Sequence, residues 1–327
     1  MEKKPLVSLI TPCHNSSSFI YRLMDSVLQQ TYDRIEMIAV DNDSEDNTAQ
    51  IIKDYIPKFE SKGYILKYIH QDNLGPSAGI QTGLRVITGD YLLMPDSDDY
   101  YSKATSIETF VNQFIKLSDN YAIIRCQLQY VDEKDMSVLK VSYEGFPEDD
   151  PGTLFKDCLL GQNNYNFAPI GYMVKVSCLR EMTDMSIYHA FNVGQQRQIC
   201  LPLYYKYKAW TIPEVLACYL VRNASVSHGD YGKLKTQAKL YEESEKYIDT
   251  IFETIKEMPE NEKKYYKALF LRQQAERMAL RADKAGGPSK PYIEDYKHYG
   301  GSAFKLKTYL LLLKIVRPLK EIIYNKK

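Results

Sequence analysis

The sequence predicts an α/β protein with a mostly parallel central sheet flanked by helices, followed by a helical C-terminal appendage. Two observations predict the sheet. Apolar, β-rich runs alternate with helical patterns through roughly the first hundred residues, which is typical of βαβ units. Polar clusters follow the apolar runs, at the carboxyl ends of strands, where such sheets bind ligands. A third observation predicts the appendage, because beyond His228 the sequence changes to long amphipathic helical patterns.

The elements are predicted from the spacing of apolar residues. The strands of the first half are Leu6–Thr11, Ile35–Val40, Ile65–Ile69 and Tyr91–Met94, and the helices between them are Phe19–Gln30, Thr48–Tyr55 and Pro76–Ile87. The next predicted elements are a helix at Thr105–Leu117, a strand at Tyr121–Val131, a helix at Gln195–Tyr207 and a strand at Thr211–Val221.

The C-terminal part is predicted to be helical throughout. Leu234–Ile255 and Glu260–Ala285 have helical spacing, Gly286-Gly287-Pro288 breaks the second helix, and the tail resumes at Ala303. We therefore expect two domains, a ligand-binding domain at residues 1–230 and a helical region at residues 231–327 with a basic amphipathic tail.

Charge and cysteine content exclude several classes of protein. Among 327 residues, Lys and Arg total 42 and Asp and Glu total 42, so the chain lacks the positive charge of a general nucleic-acid binder. The six cysteines form no Cys-x-x-Cys pair, which argues against a zinc site or a disulfide framework and favours reduced thiols. No segment approaches the ~20 apolar residues that span a bilayer. We expect a cytoplasmic protein, free or held on a membrane surface.

An acidic cluster ends the fourth predicted strand. Asp96, Asp98 and Asp99 put three carboxylates within four positions directly after the apolar run Tyr91–Met94. Neighbouring carboxylates repel one another and raise each other's pKa. A divalent cation such as Mg²⁺ or Mn²⁺ would remove that repulsion, since both prefer hard oxygen ligands. The alternative is a solvated acidic turn.

Four segments together resemble family 2 glycosyltransferases with the GT-A (Rossmann-like) fold. They are the opening strand from Pro5 to Asn15, the loop Val40–Thr48, the turn Asn73-Leu74-Gly75, and the segment Gly89–Asp99 with its Asp-x-Asp motif. The four segments occur in the family's order and spacing and cover roughly residues 5–130. The resemblance continues more loosely to His228 and does not extend to the last hundred residues.

The resemblance implies a nucleoside-diphosphate-sugar donor, most often UDP-linked, with Mn²⁺ or Mg²⁺ bridging the diphosphate. It implies transfer, with inversion, to a glycan or lipid-linked acceptor in surface polysaccharide synthesis. Carried over by position, it assigns the nucleotide pocket to Thr11, Pro12, His14, Asn15, Asp41, Asn42, Asp72, Asn73 and Asp96. It assigns the cation to Asp98, Asp99 and His228, and the diphosphate to Arg222 and Ser227.

The sequence departs from the family where the catalytic base is expected. Inverting members usually carry Glu-Asp near residue 195, whereas this chain has Gln195 and Gln196. An amide oxygen is too weakly basic to take a proton near neutral pH, so these glutamines are expected to orient the acceptor or the donor sugar. Three explanations stay open: late proton loss to the departing phosphate or solvent, donor binding without efficient transfer, or another acid, with Asp149, Asp150, Asp157 and Asp184 as candidates.

A second departure concerns positive charge near the diphosphate. Gly79-Ile80-Gln81 stands where many relatives have Ala-Arg-Asn. The site therefore loses a cation there, and we expect Arg85 or Arg222 to replace it.

Two alternatives accompany the main hypothesis. The glutamine at 196 suggests a non-catalytic subunit that binds the nucleotide sugar for a partner transferase. The absence of a Gly-rich phosphate loop after the first strand makes a nucleotidyltransferase a distant third.

The tail from Ala303 to Lys320 combines apolar density with basic residues. It predicts an amphipathic helix at a membrane surface, with five cations near anionic lipid: Lys305, Lys307, Lys314, Arg317 and Lys320. Alternatively, Leu310–Leu313 packs on the catalytic domain or on a partner chain, as in a homodimer.

Overall fold

The computed structural model describes residues 4–142, 151–163, 165–189, 194–222 and 233–324. The chain divides into two compact units, the first comprising Met1–Ser225 with Glu253–Lys256, and the second Val226–Phe252 with Glu257–Lys327. The predicted boundary near residue 230 falls outside the described residues, and the functional division between the two regions stays a prediction.

A single sheet organises the first unit. Its strands are β1 (Val7–Cys13), β2 (Ile35–Asn42), β3 (Ile65–Gln71), β4 (Tyr91–Leu93), β5 (Tyr100–Tyr101), β6 (Tyr121–Asp132), β7 (Val138–Val141), β8 (Tyr172–Lys175) and β9 (Lys208–Val221). The strand order is β3-β2-β1-β4-β8-β6-β9-β5, and β7 pairs with β6. The predicted α/β class with its parallel first half is confirmed, since β1 pairs in parallel with both β2 and β4, and β2 with β3.

Burial explains the apolar strand sequences. Every residue of β1 and β2 is buried, as expected when helices cover both faces of a parallel sheet. The antiparallel strand β8, which lies between β4 and β6, was not predicted, because a run of only four residues carries little periodic signal.

The helices largely follow the predicted positions. They are α1 (Ile20–Leu28), α2 (Thr48–Ser61), α3 (Pro76–Leu84), α4 (Ser106–Lys116), α5 (Pro151–Leu160), α6 (Val176–Met182), α7 (Gln195–Lys206), α8 (Leu234–Glu242), α9 (Ser244–Thr254), α10 (Glu260–Lys284), α11 (Lys290–His298) and α12 (Ala303–Tyr324). Helix α3 begins at Pro76 directly after Gly75, whose φ of +87° is one that glycine adopts without strain.

The second unit is helical in its described part. The single helix predicted at Leu234–Ile255 is wrong, because α8 and α9 replace it. The predicted break after the long helix is confirmed, since α10 ends before Gly286, which has a φ of +71°. Helices α10, α11 and α12 share a core of Ala279, Ile293, Leu306 and Leu310. No helix within the described ranges is long and apolar enough to pass through a bilayer.

Candidate functional site

His14 joins the loops that follow β1, β2 and β3. Its Nδ1 lies 2.8 Å from the Asn42 carbonyl oxygen, and its Nε2 lies 3.2 Å from the Asn73 amide nitrogen. A carbonyl only accepts, so Nδ1 carries the proton and Nε2 is left to accept from Asn73. The ring therefore connects three strand ends to one another.

The loop after β1 is bonded to the loop after β2. The Asn15 amide donates to Ser44 Oγ at 3.0 Å, and the Glu45 amide donates to Asn15 Oδ1 at 2.9 Å. Asn15 has a φ of +48°, which asparagine tolerates better than most residues. The Ser16 amide also donates to Thr48 Oγ1 at 2.7 Å. These bonds give the two loops one defined geometry.

Asp41 is buried and fixed by donors. Its carboxylate accepts from the Tyr68 hydroxyl at 2.9 Å and the Ser44 amide at 3.1 Å. Asn42 is also buried, and its Oδ1 accepts from Gln71 at 2.8 Å. Asp41 is therefore not a solvated turn residue, and its predicted contact with the nucleotide base stays a prediction. Tyr68 was missed by the sequence reasoning, because its contact with Asp41 joins residues on two different strands.

The remaining nucleotide residues differ in exposure. Asp72 and Asn73 are exposed, whereas Thr11 is fully buried, and its Oγ1 is among the buried side-chain atoms without a partner in the described part of the chain. Pro12 lies against α3, because a Cβ built on Gly79 would stand 2.9 Å from Pro12 Cβ and 3.1 Å from Asn42 Nδ2. That close packing accounts for glycine at position 79.

The acidic cluster after β4 lies beside these loops. Ser97 Oγ is 2.8 Å from Ser16 Oγ, which connects the acidic turn to the β1 loop. Asp99 is completely buried, accepting from the Leu220 amide at 3.0 Å through Oδ1, while its Oδ2 has no hydrogen-bond partner in the described part. Asp98 is partly exposed and paired with Arg222, whose Nε and terminal nitrogen lie 2.7 and 2.6 Å from Oδ2.

Burial and mutual repulsion perturb this cluster. Burial and then the charge of Asp98 raise the pKa of Asp96 to about 7, although Arg222 and the amide of Gln195 act in the opposite direction. Burial, then Asp98 and Asp96, raise the pKa of Asp99 well above its usual value. These are the effects expected when carboxylates outnumber the cations near them.

The residues present fit a cation unequally. Asp98 and Asp96 offer hard oxygen ligands whose repulsion a divalent ion would relieve. Asp99 fits less well, because it is enclosed and one of its oxygens already accepts from Leu220. Within the described residues, no group of three or more His, Cys, Asp or Glu side chains is arranged to hold a metal ion. Ser227 and His228, predicted for the diphosphate and the cation, lie outside the described ranges.

The N-terminus of α7 reaches the acidic cluster. Gln195 Nε2 donates to Asp96 Oδ1 over a long 3.4 Å. Gln196 is buried, donates to Cys200 Sγ at 3.2 Å, and has an Oε1 without a hydrogen-bond partner in the described part. Of the two glutamines, only Gln195 contacts a member of the cluster.

Known proteins resemble this chain in part of its sequence and in its fold. Residues 8–168 match the model of the family described as "Glycosyl transferase family 2". Residues 8–168 belong to glycosyl transferase family 2. A glycosyltransferase of Rickettsia typhi is 31% identical over 134 residues, which are 41% of this chain and 40% of that one. GlyG of Streptococcus pneumoniae is 30% identical over 151 residues, covering 46% and 43%. The matched part thus makes up less than half of either relative.

Solved structures extend the likeness to the fold of most of the chain. S. aureus TarS residues 1–349, solved with UDP-GlcNAc, align with a TM-score of 0.63 and 15% identity over 90% of each chain. The mannosyltransferase PcManGT of Pyrobaculum calidifontis, solved with GDP-Man and Mn²⁺, aligns with a TM-score of 0.51 and 15% identity over 96% of this chain and 87% of that one. These matches confirm the GT-A architecture.

Two glutamines, Gln81 at one departure from the family 2 pattern and Gln198 on α7, have a structural role. Gln81 on α3 accepts from the Ile187 amide at 2.6 Å and donates to the Met185 carbonyl at 3.0 Å. Gln198 on α7 accepts from the Tyr188 amide at 2.7 Å and donates to the Tyr188 carbonyl at 2.9 Å. Two side-chain amides thus hold one stretch of main chain as a neighbouring strand would. Sequence reasoning missed this pair because its partners are about a hundred positions apart in the case of Gln81.

The structure also distinguishes the two arginines, Arg85 and Arg222, that were expected to supply positive charge near the diphosphate. Arg85 is exposed at the C-terminal end of α3, which is the end away from the site. The structure therefore does not support the expectation that Arg85 replaces the arginine that many relatives carry at position 80. Arg222 lies at the acidic cluster instead. Among the predicted bases, Asp157 is buried and accepts from Gln162 and Asn163, and Asp149 and Asp150 lie outside the described ranges.

Asp184 is poorly suited to accept a proton. Hydrogen bonds from the side chain and amide of Ser186 lower the pKa of Asp184 below its usual value. A lower pKa makes a carboxylate a weaker base.

Proposed function

We propose that this chain is a divalent-cation-dependent glycosyltransferase that moves a hexosyl or N-acetylhexosaminyl group from a UDP-sugar to a glycan or lipid-linked acceptor. We further propose that it works in the cytoplasm, with inversion, in the synthesis of a surface polysaccharide. The observation that carries the proposal is the cluster of Asp96, Asp98 and Asp99 at the strand edge of a family 2 domain. It has excess negative charge beside a preformed set of polar loops.

Similar folds with bound donors support this choice. TarS was solved with UDP-GlcNAc, and PcManGT was solved with GDP-Man and Mn²⁺. Those ligands belong to those proteins. They make UDP the first nucleotide to test with this chain, GDP the second and Mn²⁺ the first cation.

The roles of the residues follow from their charges. Asp98 and Asp96 would hold the cation, which when bound acts as a Lewis acid on the leaving diphosphate. Arg222 neutralises Asp98 in this structure, and its planar guanidinium suits a diphosphate as well as a carboxylate. The loops fixed by His14 and Asp41 would hold the nucleoside, as their preformed geometry reduces the entropy lost on binding.

A second candidate function is donor binding without transfer. Gln195 and Gln196 are amides at the position where family 2 enzymes usually present the acid pair, and neither can act as a base. A subunit of this kind would bind a nucleotide sugar and support a partner transferase. The two candidates differ in one measurable property, which is turnover.

Thermal unfolding of the full chain with UDP, GDP or ADP, each with and without Mn²⁺, tests the donor assignment. A ligand at about 100 times its Kd adds about 2.7 kcal/mol to the free energy of unfolding, a shift of several degrees for a chain of this size. A rise with UDP that requires Mn²⁺ supports the proposal. A rise with GDP alone would change the donor, and no rise with any nucleotide would contradict a nucleotide site.

Turnover separates the two candidate functions. UDP release from a panel of UDP-sugars is measured with glycan and lipid-linked acceptors present and absent. Acceptor-dependent release supports the transferase, whereas Mn²⁺-dependent binding with no release from any pair supports the binding subunit.

A further inference from the structure

Among its described side chains, at residues 303–314, helix α12 has two apolar faces, and only one of them is covered. Leu306 and Leu310 lie one turn apart and are 3% and 5% exposed, packed with Ala279 of α10 and Ile293 of α11. Leu310 is therefore core, but it packs against α10 and α11 rather than on the catalytic domain or a partner chain named in the sequence alternative. This packing also fixes which way the helix faces within its unit.

The opposite face is exposed and mostly apolar, with Thr308 lying between Phe304 and Leu311. Phe304 is 80% exposed, Leu311 is 61% exposed and Leu312 is 52% exposed. Phe304 and Leu311 are seven residues apart, so they lie on one side of the helix, away from Leu306 and Leu310. A solvated helix normally presents polar residues on such a face, and a large exposed group of apolar side chains marks a contact site.

Positive charge borders this face. Lys305 and Lys307 are exposed on its two sides. Lys314 contributes little, because it forms an ion pair with Asp283 at 3.1 Å. The sequence contains no acidic residue between Asp295 and Glu321, so the face and its surroundings along the chain carry one sign of charge.

We propose that the N-terminal half of α12 lies in the headgroup region of an anionic bilayer. Phe304, Leu311 and Leu312 would enter the boundary with the acyl chains, and Lys305 and Lys307 would keep their ammonium groups at the lipid phosphates. A lipid surface suits this face better than a protein, because lysine is depleted at protein interfaces. The proposal concerns α12 alone and does not depend on the donor or the reaction.

Vesicle co-sedimentation of the full chain tests the proposal. The probes are phosphatidylcholine vesicles and vesicles containing phosphatidylglycerol, at low and high salt. We expect sedimentation with the anionic vesicles only, weakened by salt. In Lys305→Gln/Lys307→Gln the partition coefficient should fall by about 30-fold, since each lysine near an anionic surface contributes about 1 kcal/mol.

Two further variants separate the apolar contribution from a general effect of surface change. Phe304→Ser/Leu311→Ser should abolish sedimentation, and Ile115→Ser/Lys116→Glu, which alters a similarly exposed site on α4, should leave it unchanged. All three variants change exposed side chains, and unaltered thermal unfolding confirms that they fold.

Two kinds of result would overturn the proposal. One concerns sedimentation: the wild-type chain and the α12 variants sediment equally, or none of them sediments. The other is a wild-type dimer in analytical ultracentrifugation that Phe304→Ser/Leu311→Ser converts to a monomer without any lipid binding, which would assign this face to a second copy of the chain.

Discussion

Carboxylates at two places on the same sheet edge have opposite properties. Asp46, in the loop after β2, is surrounded by donors: the amides of Ser17 and Thr48 lie 3.0 and 2.9 Å from its oxygens. Burial alone would raise its pKa, but these hydrogen bonds outweigh burial and lower the pKa to about 2. Asp96, in the turn after β4, has one long bond from Gln195, and its pKa rises to about 7.

The difference distinguishes a carboxylate whose charge is stabilised by several donors from one whose charge is poorly compensated in the described part of the chain. Donors around Asp46 stabilise its charge within the folded chain, so it needs nothing from outside. The cluster around Asp96 has less positive charge than negative, a condition typical of functional sites. The comparison therefore supports the proposal that the β4 turn holds the cation, with the β2 loop as its rigid neighbour.

The largest expected effect comes from removing the charge of Asp98. In Asp98→Asn, cation-dependent UDP-sugar turnover should fall about 100-fold or more, because one electrostatic contact to a leaving group contributes that much. Steady-state kinetics over a Mn²⁺ titration measures it. Asp135→Asn, in the turn before β7, is the matched control and should keep full turnover. Wild-type turnover in Asp98→Asn would remove this residue from the cation site.

The next effect concerns stability without a cation. The pKa of Asp96 is raised in the folded chain, so its contribution to stability is fully present below about pH 4 and is lost as the pH rises through about 7. The asparagine in Asp96→Asn does not ionise, so this variant gains no negative charge as the pH rises. In EDTA at pH 8 the variant should be more stable than the wild type by on the order of 1–2 kcal/mol, as measured by denaturant unfolding.

The same variant should lose function while it gains stability. We expect Asp96→Asn to bind UDP with Mn²⁺ more weakly than the wild type. A variant that is less stable than the wild type at pH 8, or whose stability depends on pH as the wild type's does, would contradict the repulsion inferred at the β4 turn.

Asp46 should show the reverse dependence on pH. Its lowered pKa contributes stability that is present above about pH 4 and disappears as the pH falls through about 2. Asp46→Ala should cost about 1 kcal/mol at pH 7, a modest value because the group is exposed and screened by solvent. Asp54→Ala, on the exposed side of α2, is the control. An equal loss of stability in Asp46→Ala and Asp54→Ala would contradict the inference that Asp46 stabilises the β2 loop.

The sequence predicted the arrangement of the first half because local patterns determine it. Alternating elements imply parallel strands, and parallel strands bring His14, Asp41, Asn73 and Asp96 to one edge whatever the details of packing. The strand order beyond β4 depended on the short strand β8, whose four residues have no period to detect.

The finer features of the site depend on contacts between distant residues. Adjacent acids Asp98 and Asp99 look equivalent in sequence, yet the first faces Arg222 and the second is enclosed with Leu220. They differ because Leu220, within β9, binds Asp99, whereas Arg222, just after the end of β9, binds Asp98. The hydrogen bonds from Gln81 to Met185 and Ile187 likewise join α3 to a segment that has no sequence signal of its own.

The smallest expected effect tests the one donor that reaches the acidic cluster from α7. Gln195 lowers the pKa of Asp96 through a hydrogen bond of 3.4 Å, which is long and therefore weak. In Gln195→Met the pKa of Asp96 should rise slightly, because a donor to its charged form is removed, and protons should compete with Mn²⁺ up to a correspondingly higher pH. The pH midpoint of Mn²⁺-dependent UDP binding measures this shift, and Gln50→Met, at an exposed site on α2, should leave the midpoint unchanged.

A merely structural role for Gln195 would lower the affinity at every pH without moving the midpoint. An unmoved midpoint would therefore mean that, in solution, no donor from α7 offsets the charge of the β4 turn, and the contrast with Asp46 would be sharper still.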